Sequence, residues 1–480
     1  GWCGSAPLEA DILAGDFSRI DIYLEFALRY GVYQLLTPPG SYHLDLSRRL
    51  RTYTALARHV RGHPAVLGYD LLNEPGVERL TGVAFPEGTR CPTQEFDFLG
   101  AYPGQLGSRS EELRQQARDR RVWRHALSPG ISEEQAFNVA CAAYLYGRWR
   151  REYGISFSTF PEIDQAWPPS DAWRQAIDAI NGGLATWVNV QAEALRRADP
   201  THMVTVGYNQ LLSCFPGNSG LDFVSQHVYQ RPYTFEDVQK NITTLDRLRH
   251  FWPDKPITFG EFGYSSGVEM PNGEFLGVQA ASVGEMVHWL YALANGYDGC
   301  KKWVLNDHPL PYMHHFGNWA GRGIGTQTYE ARFGLYAYDG SLMGRPKPIA
   351  HALHFLRTYV DRAGPVGDVD ITRGRGLTAA HYVFRGEKAL FIGSDQHDSP
   401  ELSFAVDGAA NVMLDWGDGT LRVMATADMH VSVLLEAFVD GLSNQRLRLS
   451  GKNGGIRHDG KRIRIRLLAG RAVCFRHPKR

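Results

Sequence analysis

The chain has 480 residues, with Lys+Arg and Asp+Glu both at 51 and a formal net charge of zero. That balance excludes the basic excess of a nucleic-acid-binding surface and the acidic excess of a solvating chain. Hydrophobic content of 43% against 21% charged supplies an ample core, no apolar run has the length of a membrane span, and the 12% aromatic share suits a loop-rich soluble enzyme.

The first predicted element is a helix over Phe17–Tyr30, where Phe17, Ile20, Tyr23, Leu24, Ala27 and Leu28 recur at helical spacing and Gly31 stands as a terminator. The run 32–36 then reads as a strand ended by Pro38-Pro39, and Leu46–Val60 reads as a helix. AVLGYDLL (65–72) reads as a buried strand ended by Asn73-Glu74-Pro75. After a long interval come a helix at 184–198 and a strand at 203–207. A strand at 222–229, a helix over Val238–Phe251 and a strand at 256–262 follow. Ser282–Asn295 is the next helix, 299–305 the next strand, and Ile349–Val360 the last helix. Strands alternating with helices mean a mostly parallel sheet of βα units. Repeated right-handed crossovers favour a (β/α)₈ TIM-type barrel. Six strands are visible, and residues 1–16 are too few for the two expected before them. The barrel is therefore expected to lack its first strands in this chain, or to be open or completed in another way.

Residues 76–183 interrupt the rhythm and read as a long insertion over the face where barrel enzymes place their sites, with a helix near 133–152. From about 366 the period changes to two, with Gly/Asp turns between short apolar runs. The expected organisation is a catalytic domain at 1–365 and a C-terminal antiparallel β-sandwich at 366–480. RIRIRLL (462–468) reads as an edge-like strand with one solvated face. Six scattered cysteines form neither a disulfide framework nor a metal-ligand spacing.

Two strand ends carry the chemistry. GYDLLNEPG (68–76) delivers Asn73 and Glu74 at the carboxyl end of one apolar strand, and PITFGEFGYSS (256–266) delivers Glu261 on another. Such ends are where barrel sites lie. Two glutamates so placed fit a two-carboxylate hydrolysis: one protonates the leaving oxygen and the other attacks the anomeric carbon, with the groups about 5–5.5 Å apart. Each residue also has a plainer reading. Glu74 can be a helix-start carboxylate with Pro75 in the first turn. Glu261 can be a buried paired carboxylate, His227 and Tyr229 satisfied core polar residues, and Trp303 simple packing. Asp307-His308 and His314-His315 match no metal motif and suit subsite lining or loop hydrogen bonding.

The LNEP strand end, the FGEFG strand end, the HVY strand between them and the KKWVL strand after them resemble clan A of the glycoside hydrolases. That clan comprises retaining (β/α)₈ enzymes, among them family 5 cellulases and mannanases and family 42 β-galactosidases. The resemblance covers roughly residues 17–360, and YGRWRREYG with DQAW (146–167) and EALRRADPTHMVTVG (193–207) is similar to family 42. It implies that Glu74 is the general acid/base and Glu261 the nucleophile. It further implies that Asn73 hydrogen-bonds the sugar 2-hydroxyl and Tyr229 steadies the nucleophile, with His227 two residues earlier on the same strand face. Trp303 would be the platform under the sugar. The clan's arginine and second polar residue from early strands have no counterpart here. The expected protein is a retaining, exo-acting glycoside hydrolase taking a β-linked oligosaccharide or glycoside. The alternatives are an endo-β-glucanase, an endo-β-mannanase, or a carbohydrate-binding protein with impaired catalysis. No metal, no organic cofactor, no nucleic acid and no membrane span are expected.

Overall fold

The computed structural model describes residues 6–39, 46–75, 171–209, 211–229, 235–266, 278–308, 332–341 and 344–360, with shorter pieces at 111–112, 114–115, 268–269, 275–276 and between 370 and 476. They fall into two compact units, Gly1–His227 with Leu245–Gly260, and Val228–Thr244 with Glu261–Arg480.

The first unit opens with helices α1 (Ala6–Ala14) and α2 (Ser18–Tyr30), strand β1 (Gln34–Leu36), helix α3 (Leu46–Val60) and strand β2 (Val66–Asn73). Helix α4 (Asp171–Ala198), β3 (Met203–Tyr208), β4 (Val224–Val228), α5 (Phe235–Phe251) and β5 (Ile257–Phe262) follow, the last three crossing the boundary between units. The strands lie in sequential order β1-β2-β3-β4-β5, and the pairs β1·β2, β2·β3 and β3·β4 are parallel. This is the βα connectivity of part of a TIM-like fold.

Local chemistry explains these elements. Helix α2 buries Ile20, Leu24 and Ala27 at helical spacing and stops at Gly31, whose left-handed φ of 63° turns the chain so that the Val32 N–H reaches the Ala27 carbonyl at 2.8 Å. Tyr23 and Leu28, counted with the apolar set in the sequence, are instead 55% and 53% exposed. Strand β2 is buried on both faces over Gly68–Leu72, as a parallel strand covered by helices must be. A Cβ on Gly68 would lie 2.2 Å from the Met203 carbonyl oxygen, so β2 and β3 approach this closely only through glycine. Beneath them, Asp199 accepts hydrogen bonds from Tyr69 at 2.6 Å and from Thr201, fixing the turn from α4 into β3.

Helix α4 starts well before the expected 184. Gly182-Gly183 lies inside it, because packing overrides a propensity deficit of about 1 kcal/mol per glycine. The predicted insertion at 76–183 and its helix at 133–152 lie outside the described residues, apart from 111–112, 114–115 and the first turns of α4.

In the second unit, Glu261 and Phe262 end β5, and the hairpin β6 (Val268–Glu269) and β7 (Phe275–Leu276), helix α6 (Val278–Ala294) and β8 (Cys300–Lys302) come next. Strand β8 is shorter than the expected 299–305, so Trp303 falls just past its end. It adjoins β5, where the Trp303 N–H donates to the Phe262 carbonyl at 2.8 Å. The pair β9 (Tyr336–Ala337) and β10 (Arg345–Pro346) leads into α7 (Pro348–Phe355), which starts on proline.

The remaining strands are β11 (Asp370–Thr372), β12 (His381–Arg385), β13 (Ala389–Ser394), β14 (His397–Asp398), β15 (Phe404–Asp407) and β16 (Ala410–Asp415). They continue as β17 (Thr420–Ala425), β18 (Met429–Val433), β19 (Arg448–Ser450), β20 (Ile456–Asp459), β21 (Arg462–Leu467) and β22 (Val473–Arg476). They form two antiparallel sheets, ordered β11-β12-β13-β16-β17-β22-β19 and β14-β15-β18-β21-β20. Strand β21, the RIRIRLL segment, is not an edge: it pairs with β18 on one side and β20 on the other. Its alternation marks one buried and one wet face, with Ile465 and Leu467 inside and Arg464 and Arg466 exposed. Met424 of β17 shares a core with Met286 of α6 and with Ile349, Ala352 and Phe355 of α7. No helix among the described residues is long and apolar enough to cross a membrane.

Candidate active site

Three successive parallel strands of the first unit end in polar side chains that meet. Glu74 follows β2, Asn209 follows β3, and His227 lies near the end of β4. One Glu74 carboxylate oxygen accepts from the Asn209 side-chain amide at 2.9 Å, and the other is 2.9 Å from His227 Nδ1. The Glu74 side chain is 28% exposed while the His227 ring is buried, so the carboxylate reaches solvent from a buried partner. Asn73 ends β2, registered opposite Gly207.

The backbone here is specialised. Glu74 has φ 48°, a left-handed conformation that costs a non-glycine residue about 1 kcal/mol or more, and its N–H is pinned to the Gly207 carbonyl at 2.7 Å. Strain of this kind concentrates at functional sites. The His227 ring lies between two glycines: a Cβ on Gly207 would sit 2.5 Å from its Nε2, and one on Gly260 would sit 3.0 Å from its Cδ2. Below the rim, buried Asp70 accepts from the Gly207 N–H at 2.9 Å and from the Thr37 hydroxyl at 3.4 Å, linking β2 to both neighbouring strand ends.

In the second unit, Glu261 on β5 is 9% exposed and accepts a hydrogen bond from the Tyr229 hydroxyl at 2.8 Å. The Tyr229 ring meets the Phe333 ring at right angles, with centroids 5.9 Å apart. Trp303 is held through its backbone, and the peptide bond joining it to Val304 is cis. Asp307 is not a ligand in waiting. It is buried and accepts from Lys347 at 2.7 Å and from the Gly334 N–H at 2.8 Å, which makes it a structural anchor. His314 and His315 lie outside the described residues. Among the described residues, neither unit by itself gathers three metal-ligating side chains.

Of the expected residues, the structure brings His227 to Glu74 and Tyr229 to Glu261. Asn209 was missed by sequence reasoning; its one available signal was a polar residue directly after an apolar strand, as at Asn73-Glu74. Phe333 carried no local signal at all.

Behind Glu261, His288 of α6 stacks on Phe262 with centroids 4.8 Å apart. Its Nδ1–H donates to the Gly284 carbonyl at 2.8 Å, which leaves Nε2 to accept from the Tyr264 hydroxyl at 3.3 Å. Burial pushes this imidazole down to about 4, the Gly284 bond opposing and the Lys302 charge assisting the shift. Because the folded value lies below the ordinary one of about 6.5, its contribution to stability is complete above that pH and is lost as pH falls toward 4, by on the order of 3 kcal/mol. Urea midpoints measured from pH 7 to 4.5 should therefore fall more steeply in the wild type than in His288→Asn.

No protein-family model matches the chain, and no curated protein matches it. Among solved structures, an exo-β-agarase is similar over 61% of this chain and 35% of its own, at 16% identity and a TM-score of 0.33. A second agarase, AgWH50C, is similar over 62% of this chain and 37% of its own, at 12% identity and a TM-score of 0.34. GH5_18 from Streptomyces cattleya, in complex with Manβ1-4GlcNAc, is similar over 65% of this chain and 54% of its own, at 13% identity and a TM-score of 0.32. The chain thus spans little more than a third of the length of the two agarases.

Proposed function

We propose that the protein is a retaining glycoside hydrolase of the clan A kind, exo-acting on β-linked oligosaccharides or glycosides. In this reading the six-stranded sheet belongs to a (β/α)₈-type catalytic domain at 1–365, and 366–480 is an attached β-sandwich. Glu74 gives its proton to the glycosidic oxygen while Glu261 attacks the anomeric carbon, so the bond to the leaving group breaks as a glycosyl ester forms. Glu74 then takes a proton from water, and that water releases the sugar with its configuration retained. Asn73 binds the 2-hydroxyl, a contact that tightens as positive charge grows at the anomeric carbon. Tyr229 and His227 hold the two carboxyl groups, and Trp303 lies under the sugar, where aromatic area packs well on its CH-rich face.

One observation carries this reading. Glu74 directly follows β2 and Glu261 is the last residue but one of β5, and each accepts a hydrogen bond from a neutral side chain that follows a neighbouring strand, Asn209 for Glu74 and Tyr229 for Glu261. The test is a panel of 2-deoxy-2-fluoro-β-glycosyl fluorides, which form the ester faster than they lose it. Time-dependent inactivation with the added mass on the peptide holding Glu261 is expected. Sugar binding with no covalent label from any member of the panel would instead indicate a carbohydrate-binding protein.

A further inference from the structure

The second unit places buried charge against the backbone that follows Glu261. The Lys302 ammonium, 4% exposed, pairs with Glu285, 2% exposed, at 2.7 Å. It also donates to the carbonyls of Trp303, at 2.8 Å, and Phe333. Glu285 in turn accepts from the backbone N–H of Tyr264 at 2.9 Å, three residues past Glu261. A second buried pair stands alongside: Lys347 binds Asp307 at 2.7 Å and the Arg332 carbonyl at 2.9 Å, and Asp307 accepts from the Gly334 N–H at 2.8 Å.

Three consecutive residues are thereby fixed: Arg332 and Phe333 through their carbonyls and Gly334 through its N–H. The middle one, Phe333, presents its ring edge-on to Tyr229, whose hydroxyl donates to Glu261. Burial pushes the Glu285 carboxyl up against the pull of Lys302, and pushes the Lys347 ammonium down against the pull of Asp307. Such pairs are poor sources of stability, because apolar replacements of similar volume are often neutral or better. What they supply here is geometry. A hydrocarbon core cannot hold three successive peptide groups in place.

We propose that the Lys302–Glu285 pair, backed by Lys347–Asp307, is a positioning device for Glu261, acting through Phe333 and Tyr229 on one side and the Tyr264 backbone on the other. This rests on the reading of Glu261 as the nucleophile. Small displacements of a reacting group are costly, about 100-fold for 1 Å. The double substitution Lys302→Met/Glu285→Leu removes both charges and leaves neither stranded. It is expected to lower kcat by about 10- to 100-fold while KM stays within about twofold of the wild type, a split that general loosening of the fold would not give. A cycle with Tyr229→Phe should be strongly non-additive, because the pair acts through that hydroxyl. Lys302→Arg, which keeps the charge, should recover part of the loss.

Labelling of Glu261 in the wild type is measured first. Its absence removes the proposed function and this inference with it. Labelling in the wild type together with an unchanged kcat in the pair variant, or with effects that simply multiply, overturns the positioning role alone. If the pair variant does not fold, Phe333→Leu decides. It keeps both lysines and their carbonyl acceptors but removes the ring edge against Tyr229. A kcat loss at constant KM supports the inference, and an unchanged kcat overturns it.

Discussion

Glu261→Gln is expected to fold with a Tm near that of the wild type and to lose at least ~10⁴-fold in kcat, the scale seen when the group that forms the covalent intermediate is removed. The amide matches the carboxylate in shape, and its carbonyl oxygen can still accept from the Tyr229 hydroxyl now bonded at 2.8 Å. The strand end around it therefore has no reason to move. An amide, however, cannot form a glycosyl ester under these conditions. Initial rates on activated aryl β-glycosides, with circular dichroism as the folding control, make the measurement. Glu261→Ala refines it: azide that enters the vacated space attacks the face opposite the leaving group, so any product carries inverted configuration. A loss below tenfold in a folded Glu261→Gln protein would leave Glu261 as an ordinary buried carboxylate.

The parts of this molecule that could be read from its sequence are those set by local pattern. Strand β2 was legible because five of its residues in a row are buried and polar residues end the run. Helix α2 announced its end because only glycine accepts the φ of 63° found at Gly31 at little cost. Failure came where distant packing overrode the pattern. The helix expected from 184 begins at Asp171 and runs through Gly182-Gly183. The alternation in RIRIRLL correctly gave one buried face, yet says nothing about whether a strand is an edge or interior, since that depends on which strands flank it. The same division runs through the site. The candidate residues at the ends of β2 and β5 were visible in Asn73-Glu74 and Glu261. Their partners were not: Asn209 lies 135 positions from Glu74, and no periodicity encodes such a distance. Lys302 and Glu285 are closer, but as one more lysine after a strand and one more glutamate on an apolar helix they carried no sign of each other.

Glu74→Ala is expected to separate substrates by leaving group. A glycoside whose aglycone is a poor leaving group needs the Glu74 proton and should lose about 10²- to 10⁴-fold in kcat/KM, the usual contribution of a positioned acid. One with an acidic phenol leaves without that proton, so its first step survives and the glycosyl ester accumulates, because water now lacks its base. Azide, already an anion, needs no base and fits where the truncated side chain was. It should restore turnover and give a β-glycosyl azide, formed on the face from which the aglycone departed. The experiment also answers the backbone objection. Alanine at φ 48° is no better accommodated than glutamate, and the truncation removes the bonds that His227 and Asn209 make to Glu74, so part of the loss of rate can come from local rearrangement. Rearrangement cannot be reversed by a small anion, nor can it dictate the configuration of a product. Recovery with azide and retention at the anomeric carbon therefore report on the missing carboxyl group itself, whereas failure to recover, or an α-glycosyl azide, would remove Glu74 from the role of acid and base.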